Sequence, residues 1–138
     1  VRALCATLRA EDRAEIEAVG LVPRHALIAL WRASIAPRVA IVDGEVAAAW
    51  GDTAQLLSDT GSLWAFTAAP VARLPLAFLR ETRKEVRMML GSRQVLRAHV
   101  ACSYQCAIRF FSLAGFSVGD PQLIAGAVYR ELRIERGT

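Results

Sequence analysis

The sequence predicts an α/β domain, a mixed central sheet with flanking helices, and three observations carry that expectation. Asp43-Gly44 stands between the apolar runs Val39–Val42 and Glu45–Trp50. This is a strong short-range hairpin signal, because a type I′ turn needs positive φ at both central residues. Val95–Ala101 alternates, with Leu96, Ala98 and Val100 on one side and Arg97 and His99 on the other, as a half-buried strand does. Pro75–Leu90 places Leu79, Val86 and Leu90 at spacings of seven and four, the apolar seam of a long helix that ends at Gly91.

The remaining elements follow in chain order. The first eight residues, with Leu4 and Cys5, read as a short strand. Arg9-Ala10-Glu11-Asp12 opens a helix whose first-turn acids suit the positive end of its dipole. Ile16 and Val19 mark its apolar side, and Gly20 stops it. Pro23 sits where a first-turn proline belongs, and Ala26, Leu27, Leu30 and Trp31 form the stripe of a second helix. After the hairpin, Asp52–Ser62 reads as loop and Leu63–Thr67 as a strand. Beyond Val95–Ala101, Ser103 is placed to cap a helix running through Ile108, Phe110, Phe111 and Leu113 to Gly115. Phe116–Val118 is a short strand, Asp120-Pro121 a turn, and Gly126–Glu135 the last strand. The expected order is β-α-α-β-β-β-α-β-α-β-β.

Composition bounds the function classes. The 138 residues are 54% hydrophobic and 22% charged, enough for a sizeable core and against disorder. One domain over residues 1–138 is the expectation. Alanine accounts for 25 residues and buries little area each, so the core is expected to rest on Leu, Val, Ile, Phe and Trp. The longest stretch without a charge, Thr60–Ala72, has 13 residues, whereas a membrane span needs roughly twenty. No leader pattern opens the chain, so assembly from a cytosolic pool is expected. Cys5, Cys102 and Cys106 include no CxxC, which argues against a disulfide framework or a zinc site.

The net charge is +4, and the asymmetry lies in one stretch. From Arg73 to Arg97 there are seven basic residues and two acids, Glu81 and Glu85. Arg80, Arg83, Lys84 and Arg87 share one flank of the long helix at three- and four-residue steps. They are the candidate partner-binding face, against the plainer reading of a solvated flank. A protein partner ranks above DNA phosphates, because Arg abundance beside high Ala is what GC-rich coding produces. His99 and His25 lack an orienting carboxylate and nucleophile at a telling spacing and read as structural or surface residues. Cys102 and Cys106 read as small buried packing residues, and Trp31, Trp50 and Trp64 as core or interface anchors.

The predicted order resembles the acetyltransferase fold of the GNAT superfamily. The residues carrying the resemblance are Ala107-Ile108-Arg109-Phe110-Phe111-Ser112-Leu113-Ala114-Gly115-Phe116, similar to that family's A-I-x-x-Y-x-x-x-G-F helix, together with Leu8–Asp12 and the hairpin Ile41–Ala47. The resemblance implies an acetyl-CoA pyrophosphate cradle, a Gly-rich loop at a helix N-terminus. The matching segment here is Val71-Ala72-Arg73-Leu74-Pro75-Leu76-Ala77-Phe78, and no glycine lies between Gly61 and Gly91. Leu74, Leu76 and Phe78 are expected to crowd the phosphate position, and Pro75 removes an N–H. The family's Tyr, often its general acid, corresponds to Phe111, and its Asn at the start of that helix to Tyr104.

A narrower resemblance joins Trp64-Ala65-Phe66-Thr67, Arg73-Leu74, Phe78–Lys84 and Ile108-Arg109-Phe110-Phe111. These segments are similar to a family of short internal virion proteins of T7-like podoviruses, which implies a role in the particle, in the head or near the ejection apparatus. The expectation is therefore a non-catalytic GNAT-fold virion protein, assembled from the host cytoplasm and acting through contacts with other virion proteins. No catalytic, cofactor-binding or metal residue is assigned. The alternative is an N-acyltransferase using acetyl-CoA, its pantetheine held by backbone atoms of Leu63–Thr67.

Overall fold

A computed structural model describes residues 8–18 and 21–137. The expected first strand, with Cys5, and the helix stop at Gly20 lie outside the described residues, apart from Leu8. The chain forms two compact units, Val1–Ala54 with Leu63–Pro75, and Gln55–Ser62 with Leu76–Thr138.

The first unit holds helices α1 (Ala10–Ala18) and α2 (Pro23–Ala33), strands β1 (Ile35–Val42) and β2 (Glu45–Asp52), the second part of β3 (Thr60–Thr67) and a 3-10 turn at Ala69–Arg73. Asp43 and Gly44 adopt φ of 50° and 78°, so the hairpin closes on the expected two residues, and β1 and β2 pair from Val42↔Glu45 back to Ile35↔Asp52. β1 begins four residues before Val39, since pairing with β2 continues to its end. β3 pairs antiparallel with β2 from Ala48↔Thr67 to Asp52↔Leu63. Leu8, Ile16, Leu27, Ala49, Trp64 and Ala68 form the core, with Ala26, Leu30, Trp31, Val46 and Phe66 against it.

Alanine matters more here than its area suggests. Ala47, Ala48 and Ala49 are all buried, so both faces of β2 are covered, and a methyl group is what such close layers accept. Gly51 extends the same crowding. A Cβ there would lie 2.6 Å from Ser34 Oγ and 2.9 Å from Trp64 Nε1. Those atoms are bonded: Trp64 Nε1 donates to Ser34 Oγ at 2.6 Å, and Ser34 Oγ donates to the Leu30 carbonyl at 2.6 Å.

The second unit holds the first part of β3, α3 (Pro75–Met89) from Leu76 onward, β4 (Val95–Ala101), α4 (Gln105–Leu113), β5 (Ser117–Ile124) and β6 (Ala127–Glu135). β3 pairs parallel with β4 at Thr60↔Val95 through Ser62↔Arg97, β4 antiparallel with β6, and β6 antiparallel with β5. Because β3 belongs to both ladders, the hydrogen-bonded order is β1-β2-β3-β4-β6-β5, a six-stranded mixed sheet. Leu96 and Leu132 are fully buried on paired strands, with Val86, Ile108 and Phe116 also inside.

Three local expectations change. Asp120-Pro121 is not a turn but lies within β5, where the register shifts between Val118 and Pro121. β5 is an edge strand, so proline's missing N–H is tolerated there, and Arg130 Nε donates to the Gly119 carbonyl at 2.8 Å across the irregularity. The reversal falls instead at Ala125-Gly126, with φ of 50° and 82°. Ser103 does not cap α4: the cap position is Tyr104, with no side-chain bond, and Gln105 Nε2 donates to the Cys102 carbonyl at 2.7 Å. β3 starts at Thr60, inside the stretch read as loop, because its first residues pair with β4.

Candidate functional site

The segment matching the phosphate cradle runs through the 3-10 turn into α3. Its backbone donors are partly consumed locally: Val71 N–H bonds Ala68 O at 3.2 Å, and Leu74 N–H bonds Val71 O at 3.3 Å. Pro75, at the first position of α3, has no N–H to offer. Arg73 is drawn to the hairpin carboxylates, 3.2 Å from Glu45 and 3.7 Å from Asp43. Leu74 and Leu76 are exposed, and Phe78 stacks on Phe110 at 5.2 Å. The segment holds no glycine, and Val71, Leu74 and Pro75 offer no free N–H, so it lacks the Gly-rich cradle that a pyrophosphate takes in the resembling family.

Phe111 is fixed within an aromatic series. Its ring meets Phe110 edge-on at 5.3 Å and Phe116 edge-on at 5.6 Å, both at 83°. Such contacts hold the ring in place, and they contain no group able to give or take a proton. Tyr104 is buried at the start of α4, its N–H bonded to Ala101 O at 2.9 Å.

One polar constellation escaped the sequence reading. Asp12, taken only as a first-turn acid, is buried, and its Oδ2 accepts from both Thr67 N–H and Thr67 Oγ1 at 2.9 Å. Arg9 N–H donates to Thr67 O at 3.1 Å, and Leu8 bridges Ala68 antiparallel. Burial raises the Asp12 carboxyl above its ordinary value, opposed by the Thr67 bonds and by Arg9. The end of β3 is thus already hydrogen-bonded by the Leu8–Asp12 segment. No spacing rule links residues 55 apart, so sequence held no signal for the pair.

The basic stretch separates into different roles. Arg83 Nη2 donates to the Leu113 carbonyl at 2.6 Å, satisfying an end group of α4. Lys84 pairs with Glu81 at 3.0 Å, and Arg97 forms a two-pronged bond with Glu131 at 2.7 and 3.0 Å. That pairing holds Glu131 below its ordinary value. Arg93 is buried and donates to the carbonyls of Gln55, at 2.7 Å, and Ser58, pinning the loop before β3. Arg136, which the sequence left unremarked, donates to Leu90 O at 2.6 Å at the end of α3.

Arg80 and Arg87 remain in solvent, with no ion pair to another side chain among the described residues. At 100° per residue, Leu76, Arg80, Arg83 and Arg87 fall within about 60° of one another. Arg80, Arg83, Lys84 and Arg87 are all exposed.

The other singled-out residues stay apart. His25 and His99 are exposed. Cys102 is half-buried and Cys106 exposed, so neither is the buried packing residue expected, because Cys106 lies on the outer side of α4. Trp64 is a core anchor and Trp31 packs against that core. Among the described residues no three of His, Cys, Asp and Glu are grouped to hold a metal ion. No described helix is long and apolar enough to cross a membrane.

No family model matches the chain, and no curated protein matches it. Solved structures do. A candidate phosphinothricin N-acetyltransferase is 16% identical at TM-score 0.67, over 99% of this chain and 94% of that one. A GNAT acetyltransferase from Streptococcus pneumoniae is 17% identical at TM-score 0.61, over 94% and 98%. A GNAT acetyltransferase from Elizabethkingia anophelis with acetyl-CoA bound is 12% identical at TM-score 0.61, over 81% and 82%. The chain therefore has the GNAT acetyltransferase fold.

Proposed function

We propose that this chain is a non-catalytic GNAT-fold protein, a component of a bacteriophage particle that works through contacts with other virion proteins. Phe111 carries the first half of the proposal. It stands where the resembling helix has its Tyr, and its ring is locked between Phe110 and Phe116 with no proton to give. The glycine-free segment 71–78, with Pro75 at the head of α3, supports the same reading.

The particle role rests on the likeness of Trp64–Thr67, Arg73-Leu74, Phe78–Lys84 and Ile108–Phe111 to the internal virion proteins of T7-like podoviruses. Mass spectrometry of purified particles tests it. The chain is expected among the particle proteins, and its absence sinks the role. DNA contact is the less favoured partner, since three of the seven basic residues between Arg73 and Arg97 are paired with carboxylates and Arg93 is buried.

The second reading, an altered N-acyltransferase, has one observation in its favour: Ala65, in the Leu63–Thr67 run of β3, is exposed beside the backbone that would hold pantetheine. Acetyl-CoA would supply the acyl group there, and the chain would still lack a placed acid. Transfer of radiolabelled acetyl to an amine panel distinguishes the two readings.

A further inference from the structure

Five of the basic residues between Arg73 and Arg97 have structural partners, and the two that do not lie on one line of α3. Arg80 and Arg87 are seven residues apart, two helical turns or about 10.5 Å. Leu76 precedes them on the same line and is 78% exposed. Arg83, between them, reaches the Leu113 carbonyl, which brings Leu113 beside the line, and that leucine is 57% exposed. Glu81, on the neighbouring side of this helix, is held by Lys84.

We infer that this face of α3 docks an acidic amphipathic helix of a protein partner, with carboxylates seven residues apart meeting Arg80 and Arg87, an apolar side chain between them meeting Leu113, and another one turn beyond the Arg80 contact meeting Leu76. The inference rests on the reading that the chain works through protein contacts. Charge complementarity selects the sign of the partner. Two features favour protein over nucleic acid. Three cations on this line, Arg80, Arg83 and Arg87, are not neutralised by a carboxylate among the described residues, and Arg83 is already committed to the Leu113 carbonyl, which is few for strong backbone binding. The exposed leucines beside them, Leu76 and Leu113, give the mixture of Arg and apolar side chains that fills protein interfaces.

The test uses the full chain and three fluorescent probes: a helical peptide with Glu at two positions seven apart and Leu between them on the same side, its Lys-for-Glu counterpart, and a 20-base-pair DNA duplex. Anisotropy is expected to show the Glu peptide binding at least tenfold more tightly than the Lys peptide. Arg80→Glu with Arg87→Glu is expected to reverse that preference, and Arg80→Gln with Arg87→Gln to abolish it. Circular dichroism and the melting temperature of both variants should match the parent, since neither side chain has an ion-pair partner among the described residues.

Equal binding of the two peptides, or a preference that survives in both variants, overturns the inference. So does tighter binding of the duplex with a salt slope of about −2 to −3, which makes the face a phosphate site. None of these results bears on whether the chain occurs in particles or transfers acetyl groups, so the parent reading stands or falls separately.

Discussion

The guanidinium of Arg83 donates to the carbonyl of Leu113 at 2.6 Å, so a residue on the middle of α3 completes the end of α4. The bond changes what the basic flank means. A cation near a helix C-terminus satisfies an orphan carbonyl and the dipole together. Arg83→Ala is expected to cost about 1 kcal/mol in urea unfolding, whereas Arg80→Ala stays within about 0.5 kcal/mol. Equal effects would show that the bond contributes nothing.

Gly51 has no room for a side chain. A methyl group would press on Ser34 Oγ and Trp64 Nε1, two atoms already bonded to each other. Gly51→Ala is therefore expected to lose about 1–3 kcal/mol, read as a lower denaturant midpoint. Trp64 fluorescence should shift with it, because its indole donor must move.

Arg93 buries a cation to hold one loop. Its guanidinium bonds the carbonyls of Gln55 and Ser58, and between them Leu57 stands 94% exposed. Arg93→Ala leaves those carbonyls without their donor and is expected to cost about 3 kcal/mol. Hydrogen exchange at residues 55–58 should accelerate beyond the change elsewhere. Unaltered exchange there would contradict the clamp.

Asp12 makes stability depend on pH in the direction opposite to a surface salt bridge. Burial raises its folded value above the ordinary 3.8, so the protonated form is favoured in the folded state. That contribution is fully present below the unfolded value and is lost as pH rises through the folded one. Asp12→Asn keeps an acceptor for Thr67 and removes the titration. The melting temperature of the parent minus that of the variant should fall as pH rises from about 4 towards neutrality. A difference that grows with pH would reverse the assignment. Glu131, held low by Arg97, works the other way: its contribution is present above 4.5 and lost as pH falls, and with Arg97 partly in solvent it is small.

What was legible in the sequence was local. Asp43-Gly44, Pro23 and Gly115 each act through their own backbone, and each appears where expected: the hairpin closes on Asp43-Gly44, α2 starts at Pro23, and Gly115, with φ of 109°, follows the end of α4. Asp120-Pro121 misled because a Pro-containing pair suits a turn and an edge-strand irregularity equally, and only the partner β6 decides. The candidate face was half visible. Helical spacing put Arg80, Arg83, Lys84 and Arg87 on one flank, but a capping arginine and a solvated one are the same letter. Arg93, Arg136 and Asp12 owe their roles to carbonyls and amides far along the chain, which no periodicity encodes.

The most direct test of the central claim, a GNAT fold without its acyl-donor chemistry, is thermal unfolding of the chain with about 1 mM acetyl-CoA and, separately, free CoA. A ligand at 100 times its Kd stabilises the native state by about 2.7 kcal/mol, several degrees for a chain of this size. The account predicts no shift with either, because segment 71–78 has no glycine and Pro75 no N–H. A clear upward shift with both would contradict it and return the chain to the acyltransferases.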